Sequence, residues 1–138
     1  MTKEEKELLL KDLCARLPYE VKVQYKDDIF TIDYISGIYE EIKLDTPDRY
    51  TIDISEVKPY LFPFSSMTEE QKNTFSGKVS ILNAFIDGSI CLSEDEELTP
   101  EDIIELFNFL NKNHFDYRGL IEKGLAEDAT GSLVYSVY

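Results

Sequence analysis

His114 is the single histidine in the 138-residue chain and the first place to look for acid–base chemistry. It stands in Asn111-Lys112-Asn113-His114-Phe115-Asp116, at the end of an apolar helical stretch. A protonated imidazole there favours the negative end of the helix dipole, and Asp116 is a local hydrogen-bond partner. No nucleophile is marked out beside it, so the pair reads as a helix end rather than a dyad. Paired carboxylates can hydrolyse glycosides, but with 28 Asp and Glu some pair will meet any spacing. There is no G-x-x-x-x-G-K-[ST], G-x-G-x-x-G or G-x-S-x-G pattern, and the six glycines are scattered as turn and cap residues. No catalytic residue is assigned, and the chain is expected not to be an enzyme. A small hydrolase with His114 in a pocket wall is the distant alternative.

Metal chemistry is no better supplied. Cys14, Cys91 and His114 do not make the four-ligand set of a structural zinc site, and both cysteines read as small buried hydrophobes. Asp87-Gly88-Ser89 and Ser93 to Glu97 gather hard oxygens, yet Gly88 directly follows the first acid and breaks the register of an EF-hand loop. No metal and no cofactor is expected.

Charge narrows the partners. The 28 acids face 14 Lys and Arg, a net charge of −14. The bases come singly, with none between Lys78 and Lys112. A phosphate backbone needs clustered cations and an anionic membrane surface repels this chain, so both are disfavoured. No apolar run approaches the ~20 residues of a membrane span. Leu8, Leu9 and Leu10 give way at once to Lys11 and Asp12, unlike a secretory signal, so a cytoplasmic location is expected. From Val79 to Asn111 there are eight acids and no base, including Glu94, Asp95, Glu96 and Glu97 in a row. Such a patch can steer a basic protein partner. In the limit it describes an acidic inhibitor that imitates nucleic acid.

These residues need elements to position them. Thr2 and Glu5 form a capping box, and Leu10, Leu13, Cys14 and Leu17 mark one face of a helix that Pro18 stops. Glu7–Lys11 and Asp12–Arg16 are acid-before-base pairs assigned to its wet side. From Glu20 to Ile54 the period changes to two, giving four short strands and an antiparallel meander that could curl into an SH3-like barrel. Asp33, Glu41 and Asp53 are expected on its solvent face. Val57 to Phe64 reads as a linker, because Pro59 and Pro63 argue against a central strand. Within it Tyr60, Leu61, Phe62 and Phe64 either seal the core or form an exposed docking patch.

Thr68 with Gln71 caps another helix start. Beyond Gly77, Val79 to Ile86 fits a helix or one arm of a hairpin with Ser89 to Leu92 across Asp87-Gly88; the Asp-Gly pair tips the reading to the hairpin. Thr99, Pro100 and Asp102 open a core helix whose broad apolar face carries Ile103, Ile104, Leu106, Phe107, Phe109 and Leu110. Asp116 is read as the cap of a short helix from Tyr117 to Ala126, and Ser132 to Tyr138 as a tail strand. Tyr117 and Arg118 belong to a docked polar network or to a recognition surface, being residue types enriched at interface hot spots.

Three stretches, LLLKDLCARLPY (8–19), EVKPYLFPFSSMTEE (56–70) and NHFDYRGLIEKGLA (113–126), together resemble a group of short proteins of Bacteroides-type gut bacteria and their phages or mobile elements. Members read R-P-L or R-P-M where this chain has Phe62-Pro63-Phe64, so any role for that arginine is absent here. The resemblance implies a bacterial or phage cytoplasmic origin and brings no activity, cofactor or site residue with it. The sequence therefore describes one α+β domain: a helix to residue 18, a meander over 20–54, a linker over 55–67 and a mainly helical half over 68–138. Its expected role is a non-enzymatic binding or accessory protein with an unidentified protein partner.

Overall fold

The computed structural model describes residues 1–48, 51–77, 79–87 and 99–135. Helix α1 (Lys3–Arg16) starts at the Thr2/Glu5 capping box and runs on into a 3-10 turn, Leu17–Tyr19, that accommodates Pro18. The meander follows as β1 (Lys22–Tyr25), β2 (Asp28–Ser36), β3 (Glu41–Leu44) and β4 (Thr51–Asp53), each antiparallel to the last. A bulge between Ile32 and Tyr34 shifts the alternation in β2, so that Ile32 is buried and Tyr34 exposed. Asp33 is exposed as expected, whereas Glu41 and Asp53 are half-buried and Lys6 of α1 binds Asp53 at 3.0 Å.

The segment read as a linker contributes a fifth strand, β5 (Lys58–Leu61). It pairs with β1 on one side and in parallel with β6 (Glu127–Asp128) on the other, giving the order β4-β3-β2-β1-β5-β6. Pro59 is tolerated because β6 pairs only with Tyr60 and Leu61, which leaves Pro59 at the sheet's edge on that side. The order is linear, with no β4–β6 pairing among the described residues, and gives an SH3-like closure no support.

The helical half holds α2 (Glu69–Asn73), α3 (Val79–Ile86) and α4 (Pro100–Lys112). Val79–Ile86 is thus a helix and not a hairpin arm; residues 89–92, the other arm, lie outside the described residues. Ile103 and Ile104, expected on the apolar face of α4, are exposed near its start, whereas Ile81 and Leu82 of α3 join Leu106, Phe109 and Leu110 of α4 in one apolar cluster. Burying each such side chain stabilises by about 1.5–3 kcal/mol, more than a tight Asp-Gly turn can offer. Gly77 is required by close approach: a Cβ there would stand 2.6 Å from Phe75 Cζ and 2.9 Å from Glu105 Oε2. The Tyr117–Ala126 helix is absent too. Both Asp116 carboxylate oxygens accept backbone N–H groups, from Leu120 and Ile121 at 2.9 Å each, and close a compact series of turns. Ser132 to Tyr135 form no strand, and 136–138 lie outside the described residues.

Two apolar clusters result. One packs α1 on the sheet through Leu9, Leu13, Val23, Ile42 and Leu61; the other is the aromatic cluster around Phe115 between α3 and α4. Leu61 is wholly buried, so Leu61→Ala should cost about 2–5 kcal/mol in urea unfolding. Ile38→Ala, at a hairpin tip where the side chain is 87% exposed, should stay within about 0.5 kcal/mol.

Candidate functional site

The buried stripe of α1 is Leu9, Asp12, Leu13 and Arg16, spaced i, i+3, i+4 and i+7. This is one residue out of phase with the expected stripe. It puts Cys14 on the surface rather than in the core, and Asp12–Arg16, assigned to the wet side, at 0% exposure for both. The pair can go inside because its members satisfy each other. Arg16 Nε and Nη2 donate to the two Asp12 oxygens at 2.8 and 3.2 Å, and Nη2 also donates to the Phe115 carbonyl at 2.6 Å. Arg118 Nη1 donates to Asp12 Oδ1 at 2.9 Å and to the Tyr117 hydroxyl at 2.8 Å, and that hydroxyl donates to Asn111 Oδ1 at 2.7 Å. The Tyr117 ring lies 5.2 Å from the Arg16 guanidinium and 4.6 Å from that of Arg118. Two guanidiniums therefore share one carboxylate, and Arg16 Nη1 has no hydrogen-bond partner among the described residues.

His114 follows directly from the way α4 ends. Its N–H bonds to the Asn111 carbonyl at 3.1 Å and that of Phe115 to Leu110 at 2.9 Å, a Schellman pattern. His114 occupies the left-handed position, φ 60°, where glycine is usual. The reversal turns the imidazole inward, 6% exposed, and stacks it on the Tyr135 ring at 3.8 Å and 12°. Burial, with help from nearby Arg16 and Lys22, lowers its pKa to about 4. The expected protonated residue bonded to Asp116 is thus a neutral, stacked one, its Nδ1 unpartnered among the described residues, while Asp116 holds backbone amides.

His114 also lines a cleft of about 770 Å³ together with Tyr19, Lys22, Phe62, Gln71, Lys112, Asn113 and Tyr135. A second hollow of about 410 Å³ adjoins it, sharing Tyr19, Lys112 and Asn113 and adding Thr74, Ser76, Glu105 and Asn108. Amides, hydroxyls and ring faces make up much of this trough, and two lysines and two glutamates, Glu20 and Glu105, enter it. Lys22 Nζ is held by Thr31 Oγ1 at 2.6 Å, whereas Lys112 is exposed. Among the described residues no three His, Cys, Asp or Glu gather as a metal site, and no helix is long and apolar enough to cross a membrane.

Phe62 and Phe64 face inward: Phe62 packs on Phe115 and Tyr135, and Phe64 on Phe85 and Phe115. Tyr60 is half-buried in β5, its carbonyl accepting from the Tyr135 hydroxyl. Tyr117 and Arg118 belong to the buried network. Glu94, Asp95, Glu96 and Glu97 lie outside the described residues. Lys22, Lys112, Asn113 and Tyr135 carried no sequence signal, because elements far apart in the chain bring them together. Asp12 and Arg16 did carry one: with Leu9 and Leu13 they complete a stripe. The three stretches of the sequence resemblance meet here. Asp12, Arg16 and Tyr19 come from the first, Phe62 from the second, and Asn113 to Arg118 from the third. Comparison of the chain with protein-family models, curated proteins and solved structures finds no match in any of the three.

Two outcomes test this arrangement. Asp12→Ala strands Arg16 in the interior and should cost about 3–5 kcal/mol in urea unfolding at pH 7. The depressed His114 pKa makes stability complete above about pH 6.5, the unfolded value, and erodes it as pH falls toward 4, because only the unfolded chain takes the proton. That loss should reach roughly 3 kcal/mol, and His114→Gln should remove it from the difference between unfolding curves at pH 7 and pH 4.

Proposed function

We propose that the protein is a small non-enzymatic binding or accessory protein of the cytoplasm that holds a segment of a protein partner in the trough between α4 and the Tyr135 strap. The observation that carries this reading is the trough's lining. Side-chain amides and hydroxyls (Gln71, Asn108, Asn113, Thr74 and Ser76) share it with aromatic rings, a surface suited to the backbone and side chains of an extended peptide. A binding role also suits His114. Near-neutral acid–base catalysis wants a group that exchanges its proton near the working pH, and this imidazole stays neutral until about pH 4. The sequence resemblance implies a bacterial or phage origin, and in a phage or mobile element the partner would belong to the host. The overall charge of −14 would draw a basic partner toward the molecule before the trough engages it.

The same charge favours a second reading, an acidic inhibitor acting through Glu94–Glu97. One comparison separates the two. Affinity capture from the native host, using the unaltered chain and an Asn108→Ala/Lys112→Glu variant of equal melting temperature, should recover a partner at least ten-fold less with the variant. Full recovery by the variant would remove the trough from the function. If capture instead falls with rising salt and with neutralisation of Glu94–Glu97, the acidic inhibitor is the better account.

A further inference from the structure

The trough is already touched by a peptide, the chain's own. After β6 the backbone turns at Gly131, φ 76°, and residues 130–133 run exposed, with Leu133 at 68%. Tyr135 then fastens the strap. Tyr135 stacks on His114 at 3.8 Å and lies 5.9 Å from Phe62 between ring centroids. Its hydroxyl accepts the Lys22 N–H at 2.9 Å and donates to the Tyr60 carbonyl at 2.8 Å. Those two groups have a particular relation. β1 and β5 pair Val23 with Pro59 and Gln24 with Lys58, so the next rung sets Lys22 opposite Tyr60. The phenol inserts at that rung, its hydroxyl bridging the Lys22 N–H and the Tyr60 carbonyl across the two strands.

A socket with a ring platform, a backbone donor and a backbone acceptor selects for a phenol over a plain ring. A plain ring seated there would hold the two strands apart and leave the Lys22 N–H and the Tyr60 carbonyl facing carbon. Among the described residues the backbone hydrogen bonds of the strap stay local: Ser132 N–H reaches back to the Ala129 carbonyl at 3.0 Å, and Val134 N–H to Ser132 Oγ at 3.2 Å.

We propose that this socket is a tyrosine-recognition site, that the strap fills it as the chain's own displaceable ligand, and that a tyrosine-bearing peptide segment takes the same place in trans. The proposal deepens the trough reading and rests on it. It names the feature by which a partner segment would be recognised.

The test uses the full chain with Tyr135→Ala and three probes: acetyl-Gly-Ser-Leu-Val-Tyr-amide, its Phe counterpart and p-cresol. The readout is the NMR shift of the His114 ring protons, which a stacked ring moves upfield. The tyrosine peptide should give a saturable upfield shift, and the Phe peptide should bind about ten-fold more weakly. Saturable binding of p-cresol would assign recognition to the phenol itself. A tyrosine peptide that binds while p-cresol does not would assign it to the peptide-borne side chain. No saturable shift, or equal binding of the Tyr and Phe peptides, would overturn the proposal.

Should the variant not fold, hydrogen exchange on the unaltered chain decides. Strap release frees the Lys22 N–H but not the Phe62 N–H, which bonds to the His114 carbonyl at 2.8 Å. Lys22 should exchange at least ten-fold faster; equal rates would make Tyr135 a fixed part of the core and end the proposal. Loss of partner capture in Asn108→Ala/Lys112→Glu alongside a failed peptide titration would leave the trough reading standing and remove the tyrosine socket alone.

Discussion

The Asp12–Arg16 pair is the constraint around which this molecule is arranged. A carboxylate and a guanidinium with no exposure are tolerable only if nearly every donor and acceptor is matched. The matching groups arrive from far along the chain: the Phe115 carbonyl, the Arg118 guanidinium and, through Tyr117, the side chain of Asn111. Helix α1 packs on the sheet, whereas Phe115 belongs to the aromatic cluster of the helical half. The ion pair therefore joins two cores that apolar contacts alone would leave free to slide. A hydrophobic seam accepts many registers; a bidentate pair bonded to one named carbonyl accepts few.

Once Phe115 is fixed, its neighbours have little freedom. Phe62 donates to the His114 carbonyl and accepts from the Asp116 N–H, a strand-like bridge that carries β5 into the helical half. The same chain reversal sets His114 in a left-handed backbone conformation, which costs a residue with a Cβ about 1–2 kcal/mol. The imidazole that results is dry, neutral and flat against a phenol. The trough and its ring wall follow from the way α4 ends.

The sequence was most legible where local rules act alone. The capping boxes at Thr2 and Thr68 and the cap at Thr99 are all formed. The four meander strands follow in the order alternation gave, the third beginning at Glu41 after a turn over 37–40. Legibility failed where tertiary contacts overrode a local preference. Val79–Ile86 is helical because α4 offers Leu106 and Leu110 as an apolar bed, information that lies some 25 residues away from the ambiguous segment. Pro59 sits in a strand because the neighbouring strand stops short of it, which no property of Pro59 can announce. The stripe on α1 was mis-phased by treating every charge as solvent-facing. Leu9 and Leu13 already defined a face, and Asp12 with Arg16 lies on it at helical spacing. The trough was invisible for a plainer reason, since its lysines, amides and rings come from separate strands, helices and loops with no shared pattern.

The 99-residue separation between Arg16 and the carbonyl that receives it also orders events during synthesis. The first helix and the meander leave the ribosome long before Phe115 and Arg118 exist. Until those residues emerge, burying the helix against the sheet would bury a guanidinium short of its acceptor and a carboxylate short of its second cation. Hydrophobic docking of the N-terminal half is thus held back by unmet polar demand. The final third of the chain acts as the latch that lets the earlier two-thirds settle.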